Sequence, residues 1–213
     1  MTSISVKSLY IFIFLTLAVN HNVFYSGRIV GGQFAVPNQF PFMAVVHRLM
    51  GNGMYSQCGG TIISSRWVLT AGHCISSGPS QFLVIFGISN KTGIDYNKYD
   101  GRNVPNKQIR AVIGWGKDGP SGSGTKRLKY AILPIISNNE CASYWAVTEK
   151  HICTSDSYNQ DAGGPLIVFI NNVPLQIGIV SYGDGYCPSD KPGVFTRVTR
   201  FIDWIQQVTN LRF

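Results

Sequence analysis

GGTIISSRWVLTAGH, residues 59–73, opens on two glycines, runs through isoleucine, tryptophan, valine and leucine, and closes on a histidine. A run so rich in β-branched and aromatic residues fits a pleated, half-buried surface and reads as strand. Seven further runs share its character: FPFMAVVH (40–47), QFLVIFG (81–87), RAVIGWG (110–116), LKYAILPI (128–135), PLIVFI (165–170), PLQIGIVSYG (174–183) and GVFTRV (193–198). Gly, Pro, Asn and Ser break them at close intervals, and helical periodicity is scarce. That pattern predicts an all-β sandwich or barrel. Residues 88–108 and 117–126 are polar and read as loop. At the C-terminus, Phe201, Ile202, Trp204, Ile205 and Val208 fall at helical spacing behind Thr199, a candidate N-cap, so one closing amphipathic helix is expected.

The N-terminus has a different texture. MTSISVKSLYIFIFLTLAV carries one cation, Lys7, and then an apolar run from Leu9 to Val19. The run is short of the ~20 residues that a membrane-crossing helix needs. A short apolar core behind a weakly positive start is expected to be a secretory signal peptide, the alternative being an N-terminal anchor. The expected layout is therefore a signal peptide and very short pro-segment over 1–27, ending at Arg28, and one domain over 29–213. Loss of Lys7 and Arg28 lowers the formal net charge from +8 to +6. The chain is read as secreted and extracellular, without a stable membrane span.

Five cysteines, Cys58, Cys74, Cys141, Cys153 and Cys187, remain in that domain. None is spaced as CxxC, which argues against zinc and for disulfides, and an odd count leaves one thiol without an intramolecular partner. No metal or cofactor is expected. Asn90-Lys91-Thr92 is a glycosylation sequon in a polar stretch. Lys107, Arg110, Lys117, Lys126, Arg127 and Lys129 cluster in sequence. They are either a patch for anionic glycans or membranes, or solvated loop cations; no nucleic-acid partner is expected.

Six motifs stand in a fixed order: RIVGG (28–32), TAGHC (70–74), GWG (114–116), DAGGP (161–165), GIVSYG (178–183) and KPGVFTR (191–197). Together they closely resemble the secreted trypsin/chymotrypsin-like serine proteases, from Arg28 to the C-terminal helix. The resemblance implies a double six-stranded β-barrel with a C-terminal helix, the first barrel over about 29–108 and the second, with the helix, over about 109–213. It implies that cleavage after Arg28 frees the α-amine of Ile29 to pair with Asp161; the alternative is that Asp161 only tightens a turn. His73 matches the general base, and Cys74 beside it is implied to bridge to Cys58, with Cys141–Cys153 as the second bridge. Cys187 is then the odd thiol, either buried and inert or exposed, since Tyr158 or a neighbour replaces the family cysteine opposite it. Gly183 and Gly193 match glycines that keep a specificity pocket open. Asp156, six residues before Ala162, is either the acid of that pocket or an ordinary exposed carboxylate.

The chemistry-bearing positions depart from the family. The nucleophile position is Ala162. Gln160 replaces a glycine whose N–H helps form the oxyanion hole, so Gln160 and Ala162 mark that position. Residues 73 and 162 lie 89 apart, whereas the base and nucleophile of chymotrypsin are about 138 apart, so roughly 50 residues are absent by that comparison. Nothing here resembles the apolar Asn-Asp-Ile-Ala-Leu-Leu stretch that carries the orienting Asp. Asp95 and Asp100 lie in the polar gap and read as solvated loop residues, so the orienting Asp is unassigned and the first barrel is expected to be incomplete. The expected function is that of a serine protease homologue without proteolytic activity, which binds proteins or peptides, an active protease among them. Two alternatives stand beside it: an active trypsin-like endopeptidase, and a truncated or mis-spliced product without function.

Overall fold

The computed structural model describes residues 32–49, 55–75, 81–90, 111–116, 124–155, 162–170, 173–185 and 189–213. Strands dominate them. β1 (Gln33–Phe34), β2 (Met43–Leu49), β3 (Tyr55–Ile62), β4 (Val68–Leu69) and β5 (Gln81–Phe86) come first. They are followed by β6 (Ala111–Gly114), β7 (Lys129–Ile132), β8 (Ile135–Ile136), β9 (His151–Thr154), β10 (Pro165–Ile170), β11 (Val173–Tyr182) and β12 (Gly193–Arg197). Helix α1 (Asn138–Cys141) lies between β8 and β9, and α2 (Ile202–Thr209) closes the chain.

The strands form two antiparallel sheets. The larger has the order β1-β7-β6-β10-β11-β12-β9-β8. Only Leu133 and Pro134 separate β7 from β8, and Ser155 N–H donates to the Pro134 carbonyl at 2.9 Å. Proline cannot donate to a ladder, so the strand bends there, and the bent β7–β8 strand joins both ends of the series. This is the second barrel, closed with six strands. The smaller sheet has the order β4-β3-β2-β5. Among the described residues the first barrel thus has four strands, two fewer than the second. β1 precedes the first barrel in sequence but lies on the second, with Gln33 opposite Tyr130 and Phe34 opposite Lys129.

Each sheet buries one face. Met43 and Val45 of β2, Ile85, Ile113, Trp115 and Ile167 share one core cluster that spans both sheets. Val112, Leu133, Ile152, Leu166, Val180 and Phe195 fill the second barrel. A third cluster joins Ala44, Val46 and Leu69 of the first sheet, and Cys74 in the turn after it, to Ile179, Val198 and Ile205, with Phe201 and Trp204 packed against it. Helix α2 therefore shares its core with the first barrel.

The helix begins later than its sequence suggests. Thr199 is exposed in a 3₁₀ turn over Val198–Arg200 and does not cap α2; Phe201 occupies the N-cap position. The Phe201 N–H donates to the Val198 carbonyl at 2.9 Å, which closes that tighter turn before the α-helix starts. Asn210, at φ 59°, ends the helix with its N–H on the Gln206 carbonyl at 2.8 Å, the left-handed stop that asparagine tolerates.

Two disulfides tie the fold, Cys58–Cys74 and Cys141–Cys153. The first closes 16 residues from β3 to the turn that carries His73; the second fastens α1 to β9 across 12. Both sulfurs of the second are fully buried. The double substitution Cys141→Ala/Cys153→Ala is expected to cost about 3 kcal/mol, the chain-entropy value for a loop of this length. An unchanged urea midpoint for that variant would show the bridge to be idle.

Candidate functional site

Three backbone hydrogen bonds and one from a threonine hydroxyl build the site at the seam between the two sheets. Gly59 N–H of β3 donates to the Ala162 carbonyl at 2.8 Å. One residue on, Gly163 N–H donates to the Val180 carbonyl of β11 at 3.1 Å, and Val180 N–H returns to the Gly164 carbonyl at 2.9 Å. The Thr70 hydroxyl, just past β4, donates to the Gly59 carbonyl at 2.8 Å. The turn 162–164 is thereby pinned to both barrels. Gly163 has φ 80°, and a Cβ there would overlap Thr70 Oγ1 and lie 2.6 Å from the Gly59 carbonyl oxygen. Only glycine meets both demands.

His73 sits opposite, in a 3₁₀ turn over Gly72–Cys74 that follows β4. Its neighbour Cys74 has Sγ 3.7 Å from the Ala162 carbonyl oxygen. That sulfur is bonded to Cys58 and carries no proton, so the contact is packing rather than a hydrogen bond. The structure thus brings the two sequence-predicted positions, His73 and Ala162, to one seam, and Ala162 packs against the core cluster there. Ligand atoms of Cys58, His73 and Cys74 lie within 4.8 Å of one another. Because the two sulfurs are joined to each other, this is a disulfide beside an imidazole and not a thiolate metal site.

Arg48 was not singled out by sequence reasoning. From β2 its Nε donates to the Ser56 hydroxyl of β3 at 2.6 Å, and its Nη1 to the His73 carbonyl at 3.2 Å. Arg48 and Ser56 are cross-strand partners. His73 exposes part of its ring, while the rest lies against packed protein. That burial, with the Arg48 charge second, lowers its pKa below the usual histidine value. A neutral imidazole at this position can accept a proton, but Ala162 has none to give.

The two predicted pocket glycines lie at the ends of neighbouring strands of the second barrel. Gly183 follows β11 and Gly193 opens β12, paired with Thr154 of β9. The Lys191 ammonium meets the Asp184 carboxylate at 3.2 Å, the Ser189 hydroxyl donates to the same oxygen at 2.8 Å, and Trp145 Nε1–H donates to the Pro192 carbonyl at 2.8 Å. The first two bonds join the segment after β11 to the segment before β12, and the third ties the latter to the chain after α1. Asp184 and Lys191 are seven residues apart, and no spacing rule marks them as a pair.

His151, on β9, is buried; its Nδ1 accepts the Thr148 N–H at 2.9 Å. Burial lowers its pKa, the Thr148 backbone raises it, and the nearby Arg197 charge lowers it again. Both histidines are therefore held below the unfolded value of about 6.5. The unfolded chain then binds more protons in that range, so stability is complete above about pH 6.5 and falls as pH drops through the depressed folded values. The melting temperature is expected to decline as pH falls below about 6.5, and less steeply in His151→Asn, whose amide oxygen, carried on Cγ like Nδ1, takes its place as acceptor. Identical pH profiles for the two proteins would remove His151 from this account.

Arg28, Ile29, Asp95, Asp100, Lys107, Arg110, Lys117, Asp156, Tyr158, Gln160, Asp161, Cys187 and the segment 1–27 lie outside the described residues. Asn90 is exposed and bridges to Arg127 of the second barrel. No helix among the described residues is long and apolar enough to cross a membrane.

The family model described as Trypsin matches residues 29–103 and 90–205. Trypsin 5G1 of Aedes aegypti is 32% identical over 238 residues, covering 87% of this chain and 86% of that protein. A solved structure of HL collagenase superposes with a TM-score of 0.70 at 26% identity, over 87% of this chain and 100% of that one. The two family-model segments overlap at 90–103. In addition, 87% of 213 residues is about 185, which leaves about 53 of the 238 aligned positions without a residue from this chain.

Proposed function

Because this chain belongs to the trypsin family of serine proteases, we propose that it is a secreted member that binds proteins or peptides without cutting them. The observation that carries this reading is Ala162, a methyl group on a turn pinned by hydrogen bonds to both barrels. Acyl transfer requires a nucleophile, a base held by an orienting partner, and oxyanion donors. Here the nucleophile position is an alanine, no segment resembling Asn-Asp-Ile-Ala-Leu-Leu is in the sequence, and Gln160 stands at an oxyanion position. Loss of the nucleophile alone lowers kcat on the order of 10⁶ in subtilisin. Two disulfides suit the oxidising compartment outside the cell.

What is kept favours regulation by binding. Arg28, Ile29 and Asp161 are all present, so cleavage after Arg28 can still release an α-amine for Asp161. The pair works as a conformational switch that needs no catalysis, and an active protease is a natural partner for such a homologue. Incubation of the purified full chain with a fluorophosphonate probe is expected to give no labelling at the seam, and labelling there would falsify the reading. Intact and Arg28-cleaved forms are expected to bind partners with different affinities; equal affinities would remove the switch.

The total of about 53 aligned positions without a residue from this chain favours one second reading, a product shortened at the level of its transcript. Transcript sequencing across Asn90–Gly116 separates the two: a longer transcript carrying the absent segment supports the second, and its absence supports the first.

A further inference from the structure

Asn90-Lys91-Thr92 is the one Asn-x-Ser/Thr sequon in the 213 residues, and its middle position is not proline. Its acceptor lies four residues past β5 and is exposed. The chain that leads to it is held in place. Residues 86–89 share a cavity of about 160 Å³ with Val36 and Leu128, and the Leu128 N–H donates to the Ser89 carbonyl at 2.7 Å. Asn90 itself stands opposite Arg127 in an isolated antiparallel bridge, which ties the chain after β5 to the chain before β7.

Residues directly opposite in an antiparallel pair carry their Cβ atoms about 4.5–5.5 Å apart on one face. The Asn90 side chain therefore leaves the backbone beside that of Arg127, and both residues are exposed. The Arg127 guanidinium lies 4.3 Å from the centroid of Phe34, which is itself 47% exposed. Asn90, Arg127 and Phe34 thus follow one another across the surface where the first sheet meets the second. A glycan is bulky and solubilising and needs such a surface position. His73, Ala162 and the other seam residues take no part in it.

We propose that Asn90 carries an N-linked glycan whose first N-acetylglucosamine lies over Arg127, at the junction of the two barrels. The proposal rests on the secreted reading, because the oligosaccharide donor, a lipid pyrophosphate, is met in the secretory pathway. In the transfer a bond forms between Asn90 Nδ2 and the anomeric carbon of the donor. The bond from that carbon to the pyrophosphate oxygen breaks, Nδ2 gives up one proton, and the lipid pyrophosphate leaves. Lys91 and Thr92 enter this step as sequence alone. In the folded protein the guanidinium is purely a donor, and the hydroxyl and acetamide oxygens of the sugar are acceptors. The first sugar thereby links Asn90 to the opposite chain a second time, beside the backbone bridge.

The test expresses the full chain in a eukaryotic secretory host and measures the intact mass of the protein recovered from the medium. An excess of one glycan is expected, lost in Asn90→Gln and in Thr92→Ala and kept in Thr92→Ser. Unmodified protein in the medium overturns the proposal and leaves secretion standing; unmodified protein retained in the cytosol overturns both. The position of the sugar is read on protein trimmed by an endoglycosidase to a single N-acetylglucosamine. The trimmed protein is expected to unfold at a higher urea concentration than Asn90→Gln, and the difference is expected to vanish when both carry Arg127→Ala. An equal difference in the Arg127→Ala pair overturns the placement, as does no difference in the parent pair. Circular dichroism establishes that each variant is folded. Fluorophosphonate labelling at the seam is independent of the glycan, so the reading of Ala162 stands or falls separately.

Discussion

Gly163→Ala is expected to destabilise the protein by about 4 kcal/mol, the sum of ~1–2 kcal/mol for a non-glycine residue in the left-handed region and 1–3 kcal/mol for overpacking. The residue has φ 80°, so any side chain meets conformational strain before it meets a neighbour. The neighbours are then unforgiving. The added methyl would overlap Thr70 Oγ1 and press on the Gly59 carbonyl, and those two atoms are hydrogen-bonded to each other at 2.8 Å. Relief by moving Thr70 breaks that bond and leaves a buried hydroxyl to find another partner. Relief by moving Gly163 disturbs the bonds that hold 162–164 to β3 and β11. Thr70→Ala/Gly163→Ala tests the assignment, because removal of the hydroxyl takes away the nearest obstacle. The double variant is expected to recover part of the loss, and strict additivity of the two single changes in urea unfolding would show that the clash is elsewhere.

Much of this architecture is legible in the chain, and the illegible parts have physical reasons. PLIVFI and PLQIGIVSYG carry enough β-branched residues to announce β10 and β11, and both form over nearly the residues read. β9 is HICT, four residues without alternation, buried at every position. Its pairing with β12 and β8, not its own sequence, makes it a strand. β1 is two residues long and belongs to the barrel that follows it by some eighty positions, which no local pattern reports. His73 and Ala162 are visible because each lies within a motif. Arg48 is invisible because its approach to His73 depends on the register of β2 against β3, where Arg48 faces Ser56. The convergence of Val36, Phe86 and Leu128 on one cavity is likewise a product of folding that no local pattern reports.

Ala162→Ser is expected to restore no more than ~10² of the activity that separates this chain from an active relative. In subtilisin, loss of the nucleophile lowers kcat by about 2 × 10⁶ and loss of the orienting Asp alone by about 3 × 10⁴. A serine placed at 162 recovers at best the ratio of those two, because His73 still lacks a partner recognisable from sequence to hold its tautomer. The charge identified beside it has the wrong sign. Arg48 lowers the His73 pKa and opposes the imidazolium that forms when serine gives up its proton, whereas a carboxylate stabilises it. Arg48→Gln in the Ala162→Ser background is therefore expected to raise the rate further, since a glutamine can keep a hydrogen bond to Ser56 without the charge. Hydrolysis of a chromogenic peptide ester, followed across pH, reads both effects. A serine variant within ~10-fold of an active trypsin-like enzyme would require a carboxylate already oriented on His73, and the proposed loss of catalysis would then reduce to the single atom missing from Ala162.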